Sequence, residues 1–249
     1  MTGPTRVVRR MAVAGALTIG AELAAAVLWP VPEQPSFDAS ALLGEGDRPL
    51  RVAGLGDSTL TGPGAANADE IWIRVVGRRL SNELDRSVDL RSFGVGGATA
   101  GEVVAGQLDA ALAFAPHLAL VSVGANDVIR GVPMRRFAGH LDRIVSALTD
   151  IGAVVVLSGV GDLGTIPRLA PPLRHVVTRL GRRAERVHTV VAERHGAIKA
   201  EQWGWSNDQF RTRRDVWSGD LFHPNAAGHV VWAETCWKAL VPILDDFRS

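Results

Sequence analysis

The chain has 249 residues, no tyrosine and a single cysteine, and its positive and negative charges almost cancel. The absence of tyrosine excludes any mechanism that needs a tyrosine as acid or base. Cys236 alone can form neither an internal disulfide nor a multi-cysteine metal site, and apolar neighbours at helical spacing predict a buried thiol. A formal net charge of +1 gives no indication of a nucleic-acid partner.

Nucleotide-binding motifs are missing or incomplete. No Gly-Lys pair followed by Ser or Thr occurs, which excludes a P-loop. Gly54 and Gly56 follow an apolar run, but Thr59 stands where a dinucleotide-binding loop needs its third glycine. Asp57 would also place an acid beside the pyrophosphate. We therefore expect no organic cofactor. The histidine spacings likewise match no metal-binding motif, so no metal is expected.

The first 30 residues carry a topological signal. Arg6, Arg9 and Arg10 precede a small-residue apolar run over residues 11–29, interrupted by Glu22. This pattern predicts a signal peptide or a membrane anchor that places the remaining chain outside the cytoplasm, with membrane association through this segment. A cytosolic helix packed on the domain is the alternative. Residues 31–48 are rich in Pro, Ser, Gly and acids and are predicted to be a linker.

Residues 49–249 alternate between strand-like and helix-like segments, without internal repeats. This alternation predicts one α/β domain, a three-layer αβα sandwich around a parallel, flavodoxin-like sheet. The predicted strands are 50–55, 88–95, 118–123 and 153–157, and the predicted helices are 70–84, 100–114, 137–149, 173–195 and 226–240. In such sheets the ligand sites form at the carboxyl ends of the strands.

Four polar motifs lie directly next to these predicted elements. Gly-Asp-Ser-Thr at 56–59, the glycine-rich turn at 94–99 and Gly-Ala-Asn-Asp at 124–127 each follow a predicted strand. Asp-Leu-Phe-His-Pro at 220–224 precedes the last helix and places an acid three residues before a histidine. A serine hydroxyl becomes nucleophilic when an imidazole takes its proton and a carboxylate orients that imidazole. The four motifs together therefore predict one shared site with a serine nucleophile, a general base and an orienting carboxylate.

In these motifs the chain resembles the SGNH, or GDSL-type, serine hydrolases over roughly residues 50–240. The resemblance implies Ser58 as nucleophile, with Asp220 and His223 as its catalytic partners. It also implies an oxyanion hole formed by Ser58, Gly97 and Asn126. From the residues alone, a helix N-cap role for Ser58 remains open.

The chain departs from the family pattern at two positions. Thr59 replaces the leucine of the family name, and Phe93 replaces the asparagine that often precedes the second block. Gly96 therefore remains an alternative to Gly97 as oxyanion donor. Asp215 remains a rival to Asp220 as the acid that orients His223.

The resemblance implies a serine esterase that acts on a small-molecule, lipid or glycan ester through an acyl-enzyme, with no cofactor. Acetyl removal or acyl transfer on cell-envelope glycans uses the same triad. A catalytically silent binding module is the alternative outside enzymes. The Gly/Pro-rich segment 159–172 fits either a substrate-lining loop or a surface connection. Trp203, Trp205 and Trp217 fit either an apolar or sugar-stacking wall or the cover of a sheet edge.

Overall fold

The computed structural model describes residues 34–248, together with residues 13, 15, 17, 18 and 20–22 of the N-terminal part. Most of the predicted signal or anchor segment, residues 1–30, thus lies outside the described residues. Within this segment, Glu22 Oε2 accepts from the Leu173 N–H at 2.8 Å. Among the described residues, no helix has the length and apolarity needed to cross a membrane.

A six-stranded sheet with the order β1-β3-β2-β4-β5-β6 forms the centre of the domain. Its strands are β1 (Ala41–Leu43), β2 (Leu50–Gly56), β3 (Val88–Ser92), β4 (Leu118–Ser122), β5 (Val154–Leu157) and β6 (Ile198–Lys199). β1 pairs antiparallel with β3, whereas all other neighbours pair in parallel. Without β1, the order is that of flavodoxin-like sheets, as the sequence predicts.

Helices cover both faces of this sheet. Numbered from residue 34, they are α1 (Ser58–Thr61), α2 (Trp72–Leu84), α3 (Ala100–Gly106), α4 (Leu108–Phe114), α5 (Ala125–Ile129), α6 (Met134–Asp150), α7 (Leu173–His195), α8 (Asn207–Thr212) and α9 (Ala226–Leu240). The predicted bounds of α7 and α9 agree with the structure. Asn225 caps α9, because its side-chain oxygen accepts from the Ala227 and Gly228 N–H groups.

Two apolar cores lie on opposite faces of the sheet, because side chains alternate along each strand. From β4, Ala119 and Val121 enter a core shared with α3, α4, α6 and α7. Leu118 and Leu120 enter the other core, which is shared with α2 and α9 and includes the fully buried Cys236. Every residue of β4 is buried, as expected for a parallel strand covered on both faces. The three-layer prediction is confirmed.

Two sequence predictions need correction. The predicted helix over residues 100–114 is two helices, because the backbone leaves helical geometry at Gln107. The buried Gln107 side chain pairs instead with the Gly56 backbone, accepting from its N–H and donating to its carbonyl, both at 2.8 Å. The predicted linker over residues 31–48 contributes strand β1 to the sheet edge, so it is not linker throughout.

Candidate active site

The motifs after β2, β3 and β4 meet at one edge of the sheet. These strands are neighbours in the parallel sheet, so Ser58, Gly97 and Asn126 follow the carboxyl ends of adjacent strands. The geometry at the end of β2 requires glycine: Gly56 has φ +151°, and a Cβ atom there would lie 1.9 Å from the Ser122 carbonyl oxygen. The chain can therefore turn sharply from β2 into the residues that carry Ser58.

Asp57, and not Ser58, is the N-cap of the short helix α1. The Asp57 side chain accepts from the Thr59 N–H at 3.0 Å, and Ser58 is the first helical residue. The alternative in which Ser58 merely caps the helix is therefore wrong. Ser58 does not cap the helix, and it lines the cleft at the carboxyl edge of the sheet.

Asp220 and His223 form the closest acid–imidazole contact at this edge. His223 Nδ1 lies 2.6 Å from Asp220 Oδ2. The other oxygen, Oδ1, accepts from the Ser218 hydroxyl at 2.6 Å and from the Phe222 and His223 N–H groups, each at 2.8 Å. Leu221 adopts a left-handed φ of +56°, and the turn presents both following N–H groups to the same oxygen. Asp220 is thus held by four donors.

These contacts keep Asp220 ionised although only 1% of it is exposed. Burial alone opposes ionisation, but the hydrogen bonds from His223, Ser218 and the backbone outweigh it and lower the pKa of Asp220 below its ordinary value. The rival acid, Asp215, is exposed and pairs with Arg213 at 2.6 Å. The structure therefore places Asp220, not Asp215, beside His223.

Asn126 lies at the start of helix α5 and reaches the loop after β3. Its Nδ2 donates to the Ala98 carbonyl at 3.2 Å and to Asp57 Oδ2 at 3.3 Å. Gly97, in that loop, adopts a left-handed φ of +78° that favours glycine. The burial of Asp57 raises the pKa of its carboxyl group to about 6, although the Thr59 hydrogen bond opposes this.

Ser58, Asn126 and His223 line one cleft, whose volume is about 860 Å³ when the open solvent at its mouth is included. Its remaining walls are largely apolar: Ile129, Val160, Leu163, Ile166, Phe210, Trp217, Phe222 and Trp232. Several of these belong to the Gly/Pro-rich segment 159–172, which is therefore a cleft-lining loop and not a plain surface connection. Of the three tryptophans singled out in the sequence, Trp217 lies in the wall, whereas Trp205 is exposed over Lys238.

Residues 55–231 match the GDSL-like lipase/acylhydrolase family. The chain belongs to this family. It is also 31% identical, over 188 residues, to the GDSL-like esterase Rv1075c of Mycobacterium tuberculosis, a match that covers 74% of this chain. The aligned region spans 60% of that relative's length. The family resemblance predicted from the motifs is confirmed.

Several solved structures share the fold of this chain. TesA superposes with a TM-score of 0.65 at 22% identity, covering 77% of this chain and 98% of TesA. The psychrotrophic esterase EstA from Pseudoalteromonas sp. has a TM-score of 0.61 at 20% identity, with 79% and 99% covered. A catalytic mutant of Axe2, an acetylxylan esterase from Geobacillus stearothermophilus, has a TM-score of 0.62 at 18% identity, with 80% and 95% covered.

Buried polar residues that the sequence analysis did not single out support the loops of this candidate site. His188 on α7 lies with Nε2 3.1 Å from the Val123 carbonyl, at the start of the loop that leads to Asn126. One turn earlier, Glu185 accepts from the Val160 N–H at 3.0 Å and from Lys199 Nζ at 2.5 Å. The sequence signal that could have identified this pair is a glutamate and a histidine three residues apart on the apolar face of a long predicted helix.

Burial shifts the pKa values of both His188 and Glu185. It lowers the pKa of His188 to about 4, so its imidazole is neutral at neutral pH. Burial also raises the pKa of Glu185, against the effect of the Lys199 ion pair. Among residues 34–248 and the described N-terminal positions, no group of three His, Cys, Asp or Glu side chains is arranged to hold a metal ion.

Proposed function

We propose that the chain hydrolyses carboxylic esters, with Ser58 as nucleophile, His223 as general base and Asp220 as the acid that orients it. The observation that carries this proposal is the 2.6 Å contact between His223 Nδ1 and Asp220 Oδ2, at the cleft that Ser58 lines. Because Asp220 accepts at Nδ1, the Nε2 atom of a neutral His223 is left as the proton acceptor.

The first half-reaction would form an acyl-enzyme. Ser58 Oγ attacks the carbonyl carbon of the ester while His223 Nε2 takes the hydroxyl proton. The carbonyl oxygen becomes an oxyanion, for which the N–H groups of Ser58 and Gly97 and the amide of Asn126 are the proposed donors. When the tetrahedral intermediate collapses, the carbon–oxygen bond to the alcohol breaks, and His223 returns the proton to the departing alcohol.

The second half-reaction would release the acid. A water molecule gives a proton to His223 Nε2 and attacks the acyl carbonyl, so that the same donors face the second oxyanion. Collapse then breaks the ester bond to Ser58, and the proton on His223 returns to Ser58 Oγ. Each turnover would consume one ester and one water molecule, and Ser58 and His223 return to their starting states.

The apolar walls of the cleft support an apolar acyl group as the bound half of the ester. Val160, Leu163, Ile166 and Phe222 line the cleft that Ser58 also lines. Each methylene buried there would contribute about 0.8 kcal/mol, which is about a fourfold gain in kcat/KM. We expect kcat/KM to rise along p-nitrophenyl esters from acetate to octanoate.

Acetyl removal from a glycan is the second candidate, supported by Trp217 in the cleft wall, because an indole ring can stack on a sugar. A protein that prefers acetylated xylose over every p-nitrophenyl ester would favour this candidate over apolar acyl esters. If transfer of the acyl group to a glycan hydroxyl outpaces hydrolysis, the protein would instead be an acyltransferase.

Covalent labelling separates an enzyme from a binding module. A fluorophosphonate probe should label the wild-type chain at Ser58, and Ser58→Ala should abolish both labelling and ester turnover without lowering the melting temperature. A folded wild-type chain that reacts with neither the probe nor any ester would contradict the proposal and favour a binding module.

We further propose that the hydrolase domain is exported, on the support of the arginines before the apolar run at residues 11–29. The contact between Glu22 and Leu173 supports the competing hypothesis, a segment packed on the domain. Alkaline phosphatase fused to the C-terminus of the full chain should be active in cells, and a reporter active only in the cytoplasm should be silent. The reverse pattern would contradict export.

A further inference from the structure

Helix α5 and the residue that caps its C-terminus, Arg130, place two side chains, one turn apart, against consecutive carbonyl groups of the loop after β3. Asn126 Nδ2 donates to the Ala98 carbonyl at 3.2 Å, and Arg130 Nη2 donates to the Gly97 carbonyl at 2.7 Å. We infer that Arg130 is a positioning residue, which holds Gly97 in the orientation that its N–H needs to face the oxyanion. This inference rests on the proposed function.

The loop needs such support because its own sequence allows many conformations. Residues 94–97 include three glycines, and Gly97 adopts the left-handed region at φ +78°. Two backbone hydrogen bonds fix the residues on either side of Gly97. The Val95 N–H donates to the Gly56 carbonyl at 3.1 Å, and the Ala98 N–H donates to the Val95 carbonyl at 3.1 Å. Gly97 lies between these fixed points, and Arg130 holds its carbonyl.

Arg130 is itself held by a second group. Its Nη1 lies 3.2 Å and 3.1 Å from the two carboxylate oxygens of Glu102. Glu102 Oε2 also accepts from the Thr99 N–H at 2.7 Å, which closes the capping box at the start of α3. The planar guanidinium group can donate to the Gly97 carbonyl and to Glu102 together, a pairing for which a lysine lacks the fixed fork of donors.

Arg130 lies outside the cleft that Ser58 lines. It borders a shallow depression formed with Val95, Gly97 and Glu102, whereas Ser58 and His223 line the main cleft. Because Arg130 does not line that cleft, we expect its effect on the reaction to pass through Gly97. Half of its side chain is exposed, and an exposed ion pair contributes little to stability.

The substitution that tests this inference is Arg130→Ala, assayed on p-nitrophenyl esters. Loss of the Gly97 contact should lower kcat by about tenfold to a hundredfold, with little change in KM, because a misplaced oxyanion donor weakens the transition state. The melting temperature should stay within a few degrees of wild type. Arg130→Lys should restore only part of kcat, and Arg135→Ala, an exposed arginine on α6, should match wild type.

Three readouts distinguish positioning from a structural role. Added methylguanidinium should restore part of kcat in Arg130→Ala and leave wild type unchanged. The inhibition constant of an alkyl boronic acid, which forms a tetrahedral adduct on the serine, should rise in proportion to the loss in kcat/KM. Glu102→Gln keeps the capping box and the Gly97 contact, so its kcat should fall by no more than a few-fold.

Unchanged kcat in Arg130→Ala, or a loss that follows the melting temperature and resists methylguanidinium, would overturn the inference. A loss of equal size in Glu102→Gln would also overturn it, because the ion pair and not the Gly97 contact would then carry the effect. A failure of the proposed function would look different, because it requires an inactive wild type or an active Ser58→Ala variant.

Discussion

The side-chain amide of Asn126 donates to the buried carboxyl group of Asp57, with Asn126 Nδ2 3.3 Å from Asp57 Oδ2. The proposed oxyanion donor thus shares its amide with the residue that precedes the proposed nucleophile. Only 2% of Asp57 is exposed, and this burial raises the pKa of its carboxyl group to about 6. The charge on Asp57 therefore changes within the pH range of ordinary assays.

This pKa predicts a pH-dependent stability that Asp57→Asn should remove. Below the ordinary value of 3.8 Asp57 is neutral in both folded and unfolded chains, and the raised pKa costs nothing. As pH rises from 3.8 to about 6, only the unfolded chain ionises, so the folded state loses stability, and above about 6 the full cost is present. The free energy of unfolding of the variant, relative to wild type, should therefore increase by about 3 kcal/mol between pH 3.5 and pH 7. Urea denaturation at intervals across this range measures it.

Asp38 provides a control of opposite sign. Its carboxylate also accepts from a backbone N–H two residues on, that of Ser40 at 2.8 Å, but Asp38 is exposed. The hydrogen bonds from Ser40 lower the pKa of Asp38, so its charge stabilises the fold above the ordinary value and this effect is lost as pH falls. Asp38→Asn should shift the pH dependence weakly in the opposite direction. The same shift in both variants would contradict the burial argument.

Asn126→Ala tests the amide itself. If the Asn126 N–H strengthens its contact as the oxyanion forms, kcat should fall by about 10²–10³-fold while KM changes little. Steady-state turnover of a p-nitrophenyl ester measures both constants. Asn67→Ala removes an exposed asparagine that caps a short turn and should leave both unchanged. A change in KM alone would make Asn126 a substrate-binding residue.

The parallel sheet is predictable because its buried strands are short, continuous apolar runs, and helix α7 is predictable because its apolar residues repeat at the helical period. The start of α9 is marked in the sequence by its cap, Asn225. The convergence of Ser58, Gly97 and Asn126 is predictable too, since parallel strands end at one edge of the sheet. These features depend on local pattern and on general topology, and both can be found in the sequence.

The break at Gln107 depends on a partner far away in sequence. Residues 100–114 favour a continuous helix, and the backbone departs from it at a glutamine that pairs with Gly56, 51 positions earlier. The buried pair of Glu185 and His188 depends equally on distant loops, through Val160 and Val123. A sequence pattern gives the face on which a polar residue lies, whereas the partner that makes its burial possible comes from tertiary structure.

Gln107→Ala should therefore destabilise the domain more than a typical glutamine substitution. It removes the side-chain acceptor of the Gly56 N–H and one donor to the Gly56 carbonyl, and a buried polar group left unpaired costs about 1–3 kcal/mol. We expect a loss of about 2–3 kcal/mol in the free energy of unfolding, measured by urea denaturation. Gln209→Ala, on the half-buried face of α8, should change it by no more than about 0.5 kcal/mol. Equal effects would show that the Gly56 contacts contribute little.

Asp220→Asn tests the orientation of the general base. An asparagine can present only one oxygen, so His223 Nδ1 loses its acceptor or the Phe222 and His223 N–H groups lose theirs, and the imidazole no longer holds Nε2 free toward Ser58. We expect kcat on p-nitrophenyl acetate to fall by about 10³–10⁴-fold with little change in KM.

Ser218→Ala removes only the hydroxyl 2.6 Å from Asp220 Oδ1 and leaves the bond between Asp220 and His223, so its loss of kcat should be far smaller. Asp215→Asn should retain full activity, because that exposed carboxylate pairs with Arg213. If Asp215→Asn were the variant that lost activity, the orienting acid would be Asp215, and the 2.6 Å contact between Asp220 and His223 would be structural.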